Sequence, residues 1–179
     1  MDFGLSEEQE MLKAAARDFL EKECPVRLVR EMEEDETGYP PDLWHKIAGL
    51  GWLGLPFPTA FGGGGGSFLD LTVLLEEMGR AMVPGPFVST VVHCGLPILE
   101  TGTEELKTRF LPGITGGETI LAMALIEPSA RYTADGIEAS AVLDNAHYIV
   151  NGTKMFVPYA HVARYLLTAV RTDGGITLL

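Results

Sequence analysis

Residues 102–128 read GTEELKTRFLPGITGGETILAMALIEP, and this stretch divides the chain into two architectures. Thr103 is placed to cap a short helix that runs into Phe110 and Leu111. Pro112-Gly113 is expected to break that helix, because proline brings no amide hydrogen to the next turn. Gly116-Gly117 then resets the chain direction. Thr119 to Ile126 is an apolar run of strand length, closed by Glu127-Pro128. Before this stretch apolar residues recur at three- and four-residue spacing; after it they alternate between turn signals. The expected class is therefore α+β, with an all-helical domain over 1–118 and an antiparallel β domain over 119–179.

Upstream, Ser6 followed by Gln9 forms a capping box that opens a first helix. Met11, Leu12, Ala15, Ala16, Phe19 and Leu20 make its apolar stripe. Pro25 separates it from a charged helix over about Val26 to Asp35, with Leu28, Val29 and Met32 inward. Gly38 and Pro40-Pro41 turn the chain into a third helix, Asp42 to Leu50, with Leu43, Trp44, Ile47 and Leu50 inward. Gly62 to Gly66 is a run of five glycines. It lacks the Lys-Ser/Thr of a phosphate loop, and Pro56 and Pro58 argue against the strand that a dinucleotide turn requires. The run reads as a loop ending at Ser67, which caps a helix with Asp70 in its first turn and Leu71, Leu74, Leu75 and Met78 on one face. Phe87 to Glu100 reads as a largely apolar helix kinked near Pro97, with His93 as a satisfied core residue.

Downstream, Ser129 to Asp135 is a loop. Ile137 to Leu143, His147 to Val150, Thr153 to Val157 and His161 to Arg171 read as strands, and Ile176 to Leu179 starts another. Asp144-Asn145, Asn151-Gly152 and Asp173-Gly174-Gly175 supply the turns between them. An apolar strand at residue 179 would leave an unpaired edge, so a longer protein is expected.

With 46% apolar and 21% charged residues, the 179-residue chain can pack a core. A net charge of −12 opposes binding to phosphate backbones or to an anionic membrane surface. No apolar run reaches the roughly 20 residues of a membrane span, and Met1 to Glu8 shows no secretory signal. Cys24 and Cys94, widely separated, suit reduced, buried thiols and a cytoplasmic location, and no metal site is expected.

Five segments, in this order, resemble the acyl-CoA dehydrogenase family. They are Leu5-Ser6-Glu7-Glu8-Gln9; Phe61-Gly62-Gly63 through Ser67-Phe68-Leu69-Asp70 with Glu76-Glu77-Met78-Gly79-Arg80; Gly102-Thr103-Glu104-Glu105 with Lys107, Leu111-Pro112 and Gly117-Glu118; Ala124-Leu125-Ile126-Glu127-Pro128; and Tyr148 to Lys154. The resemblance implies an N-terminal helical domain and part of a middle β-barrel, with the family's C-terminal helical bundle absent from this chain. It implies oxidation of an acyl-CoA to the 2,3-enoyl-CoA with FAD, and electron transfer to an electron-transfer flavoprotein. It places cofactor contacts at Met123, Leu125, Ile126, Phe156 and Pro158, and substrate contacts at Arg131 and Tyr132. The family's catalytic carboxylate lies in the bundle, so no catalytic residue is assigned here and Glu127 reads as structural. The chain departs from the family where Ile126 replaces a Thr, Arg131 and Tyr132 replace small residues, Phe156 replaces a Trp and Pro158 replaces a Thr or Ser. Ile126 and Pro158 offer the flavin no hydroxyl. Three readings follow: an FAD-dependent subunit in a homo- or hetero-oligomer, a flavin-poor structural partner of such a subunit, or a non-enzymatic acyl-CoA binding module.

Overall fold

The computed structural model describes residues 4–179. The signal reading of Met1 to Phe3 lies outside the described residues. Six α-helices precede five strands: α1 (Glu7–Glu23), α2 (Val26–Glu34), α3 (Pro41–Gly49), α4 (Phe68–Arg80), α5 (Leu96–Thr101), α6 (Glu104–Thr115), then β1 (Leu121–Ala124), β2 (Ser140–Asp144), β3 (His147–Asn151), β4 (Tyr165–Thr172) and β5 (Gly175–Leu178). The α+β class holds.

Both capping boxes form. The Ser6 hydroxyl accepts from the Gln9 amide while Gln9 reaches back, and Ser67 and Asp70 repeat the arrangement at α4. The same caps join the helices, because the Gln9 side-chain amide donates to Asp70 at 2.8 Å. Along the α1–α4 seam, buried Glu77 takes two hydrogen bonds from Arg17, at 3.0 and 2.7 Å, and one from Arg80 at 2.8 Å. Chiefly through Arg17, and against burial, these hold its carboxyl down at about 2. Ala16 and Leu20 of α1 are buried against this seam, but Met11 faces solvent, as does Leu50 beyond α3; both were expected inward. Leu50 follows the last residue of α3, and Met11, between Gln9 and Lys13 that reach α4, turns to the other side of α1.

The glycine run is a tight crossing. The amides of Gly63, Gly64, Gly65 and Gly66 donate to the carbonyls of Pro58, Gly54, Phe57 and Leu55. These donors are consumed within the loop, so it cradles no phosphate.

Two elements differ from expectation. Pro112-Gly113 does not end α6, which continues to Thr115 with Leu111 and Ile114 buried. The proline lies one turn from the end, and burial of those two side chains outweighs one lost hydrogen bond. The chain resets just after, where Gly117 (φ +75°) leaves its carbonyl to the buried Trp44 indole at 2.9 Å. Further upstream, Val88–Gly95 is a π-helical segment that passes into α5, in place of one kinked α-helix. Pro97, near the start of α5, has no amide hydrogen to continue the earlier ladder, and the wide turn absorbs that loss.

The sheet is mixed. β2–β3 and β4–β5 are antiparallel, whereas β1 runs parallel to β4 from Leu121–Tyr165 to Ala124–Thr168, and Ser140 pairs in parallel with Arg171. β4 lies between β1 and β2 and runs parallel to both, and β3 reaches it through the long 152–164 connection, not through a hairpin. The expected strand over Thr153–Val157 does not form. Instead the Met155 amide donates to the Ile126 carbonyl at 2.8 Å, and Phe156 adopts φ +51°, which breaks an extended run. One core joins the helices to the start of the sheet, from Leu20, Ile47, Phe57 and Leu74 through Leu111 to Ile120 and Leu121. A second, small cluster joins Ala139, Ala141 and Val170. Cys24 and Cys94 are free and buried, and burial pushes the Cys94 thiol up to about 12. Among the described residues no helix is long and apolar enough to cross a membrane, and no metal-binding cluster occurs.

Candidate cofactor and substrate cleft

The cleft is organised by β1 and by the turn of π-helix beside it. A strand packed on a helix leaves backbone groups that need partners away from water. Ser89 and Thr90 supply them. The Thr90 hydroxyl lies 3.0 Å from the Leu121 carbonyl oxygen and accepts from the Leu121 amide at 3.2 Å. The Ser89 hydroxyl sits 3.2 Å from the same carbonyl and 3.3 Å from that of Pro158. Two adjacent side chains thus tie the π-helical segment to both β1 and the 156–158 loop.

At the end of β1 the chain is held by Glu127. Its buried carboxylate accepts from the amides of Glu138 and Ala139 and from Lys154 Nζ at 2.6 Å. Burial alone would raise this carboxyl; the Lys154 hydrogen bond, with the two amides, overcomes that and holds it below the usual range. Lys154 also reaches the Leu125 carbonyl at 3.3 Å. These contacts join the end of β1 to the residues that lead into β2 and to the segment before Phe156.

Between these supports opens a cleft of about 390 Å³. Met123, Leu125, Ile126, Phe156 and Pro158, with Tyr132, line it together, although 24 to 35 positions of sequence separate the two groups that face one another across it from Met123 to Pro158. Arg131 is not among the lining residues: its guanidinium is exposed and lies 3.7 Å from Asp135 within the same loop. Phe156 is 78% exposed, its ring held out by the left-handed backbone. Outside the strand, the amides of Leu125 and Ile126 make no backbone hydrogen bond among the described residues. Adjacent unspent donors on an apolar wall, with an open aromatic face nearby, fit a flat, largely apolar ring that carries carbonyl oxygens on one edge. Ile126 and Pro158 add surface to that fit and no hydroxyl.

Three further lining residues, Val92, His93 and Pro97, come from the helical half. His93 was expected in the core; it is exposed at the cleft instead. The π-helical turn is the cause, since it changes which side chains of an apolar run face inward. A lone imidazole in an otherwise apolar helix was the available signal.

A family model described as "Acyl-CoA dehydrogenase, N-terminal domain" matches residues 6–118. The chain is 34% identical over 175 residues to "Acyl-CoA dehydrogenase, short-chain specific" of Clostridium acetobutylicum, covering 97% of this chain and 46% of that protein. It is 37% identical over 160 residues to acryloyl-CoA reductase (NADH) of Anaerotignum propionicum, covering 88% of this chain and 40% of that one. It superposes on the crystal structure of the ChsE4-ChsE5 complex from Mycobacterium tuberculosis with TM-score 0.89 and 25% identity, over 99% of this chain and 48% of that chain. The chain therefore spans less than half the length of these proteins.

Proposed function

The chain belongs to the acyl-CoA dehydrogenase family, and on that premise we propose that it is the helical domain (1–118) and part of the β domain (119–179) of an FAD-dependent subunit that oxidises an acyl-CoA to its 2,3-enoyl-CoA. The observation that carries this reading is the convergence of Met123, Leu125, Ile126, Phe156 and Pro158 on one apolar cleft beside two unspent amides. FAD, when bound, supplies the two-electron acceptor for the hydride that leaves the β-carbon. The Leu125 and Ile126 amides are the donors this chain offers to a flavin ring. The Phe156 face and the Met123 side chain exclude water from it, which keeps a developing charge next to the thioester in a low dielectric. Tyr132 stands at the acyl-CoA side. No carboxylate here is assigned as the base that removes the α-proton; that group belongs to the family's C-terminal bundle. Electrons leave to an electron-transfer flavoprotein, and the subunit works in an assembly of similar subunits.

A second reading is a flavin-poor partner subunit. It is favoured by Ile126 and Pro158, which present hydrocarbon to the cleft where the family presents hydroxyls. Two missing hydroxyl partners cost about 1 kcal/mol each.

The deciding experiment is a visible spectrum of the full-length protein, purified without added cofactor and then with FAD. A flavin band that bleaches on adding an acyl-CoA is the expected result. A colourless protein that stays apo in excess FAD overturns the enzyme reading in favour of the partner subunit. Acyl-CoA affinity in that colourless protein when it is alone would identify a binding module.

A further inference from the structure

The cleft walls are apolar with two exceptions, His93 and Tyr132. The two differ in setting. Both are exposed, but Tyr132, at 77%, stands on the 129–136 loop. His93 stands on the π-helical segment, where its neighbours Thr90, Val91, Cys94 and Gly95 are buried. Ser89 and Thr90, four and three positions earlier, fasten that segment to Leu121 and to Pro158. The segment is thereby prevented from rolling to carry the imidazole away from the cleft. Among the described residues the His93 ring makes no hydrogen bond or ion pair.

In an open cleft water satisfies this ring. A ligand that fills the cleft displaces the water, and a plain hydrocarbon chain returns nothing in its place. A polar group left unmatched beside apolar walls then weakens binding by about tenfold or more. A chain that carries an oxygen able to accept from, or donate to, the imidazole escapes that loss. We infer that His93 is a specificity-determining residue: with the flavin ring against Leu125, Ile126 and Phe156, the acyl chain lies along the Val92, His93 and Pro97 side of the cleft and bears a hydroxyl, keto or carboxylate oxygen. The inference rests on the acyl-CoA reading above and names its substrate class.

The test is calorimetric binding to the full-length protein as purified, with hexanoyl-CoA, its terminal-hydroxyl analogue and adipoyl-CoA as probes. The hydroxyl analogue separates hydrogen bonding from charge in a protein with a net charge of −12. Wild type is expected to bind the oxygenated probes about tenfold more tightly than hexanoyl-CoA. His93→Leu should remove that ratio, by tightening hexanoyl-CoA and loosening the others. His93→Gln, which keeps a donor and an acceptor, should retain part of it. Equal affinities in wild type, or an unchanged ratio in His93→Leu, overturn the inference and leave the acyl-CoA reading intact. A shifted flavin band with an unchanged ratio assigns His93 to the cofactor and overturns it as well. Failure of wild type to bind any of the three probes removes the acyl-CoA reading together with it.

Discussion

Two buried carboxylates, Glu77 and Glu127, hold different parts of the molecule, and each is ionised because donors converge on it. Glu127 joins the end of β1 to the start of β2 and, through Lys154, to the loop that carries Phe156. Glu77 joins α4 to α1 through Arg17 and Arg80. With its carboxyl at about 2, below the ordinary value, its contribution is fully present above the unfolded value near 4.3 and is lost as the pH falls toward 2. Glu77→Gln should therefore cost about 2 kcal/mol at about pH 7, and the gap from wild type should narrow by about pH 3. Urea denaturation at the two pH values checks both the size and the sign. The Glu76-Glu77-Met78-Gly79-Arg80 stretch showed the resemblance, but only the fold shows that Glu77 is its buried anchor and Glu76 an exposed partner of Lys13.

At the scale of elements, the glycine run and the π-helical segment shape the helical half. A Cβ on Gly63 would fall on the carbonyl oxygen of Phe57 and lie 2.7 Å from that of Gly54. At Gly64 the nearest atom would be 3.5 Å away, an ordinary contact, and the backbone there is not left-handed. Gly63→Ala should lower stability by about 2–3 kcal/mol, and Gly64→Ala by about 0.5 kcal/mol or less. Thermal or chemical denaturation of the two variants decides whether close approach explains the run; similar losses would argue for flexibility. The capping boxes at Ser6 and Ser67 were legible because their partners lie three residues away. The π-helical turn was not legible, since it depends on hydroxyls at 89 and 90 meeting carbonyls at 121 and 158.

For the whole molecule, the apolar surface on the β side is the feature with consequences. Val142 (64% exposed) and Leu143 of β2, with Ile149 and Val150 of β3, face outward on a hairpin whose β3 is wholly exposed. Apolar strands left open in this way favour association. The 179-residue chain by itself should elute on size exclusion above its 19.4 kDa mass and bind a hydrophobic dye. Val142→Glu with Ile149→Lys should shift it toward the monomer and reduce dye binding. Monomeric elution of the unaltered chain would show that the hairpin face is tolerated in water. The −12 net charge opposes association, so added salt should strengthen it.

The sequence by itself determined that helices precede strands and placed the caps that start α1 and α4, because these depend on neighbours within a few positions. Together with the resemblance it also pointed to Met123, Leu125, Ile126, Tyr132, Phe156 and Pro158, which the fold gathers at one cleft. The tertiary structure alone decided the rest. It set β1 parallel to β4, carried α6 past Pro112, turned Arg131 toward Asp135 and brought His93 to the cleft. Apart from the Arg131–Asp135 pair, which closes within one loop, these outcomes balance a local preference against a contact tens of residues away. Burial and buried hydrogen bonds won that balance, and periodicity in a single stretch carries no record of either.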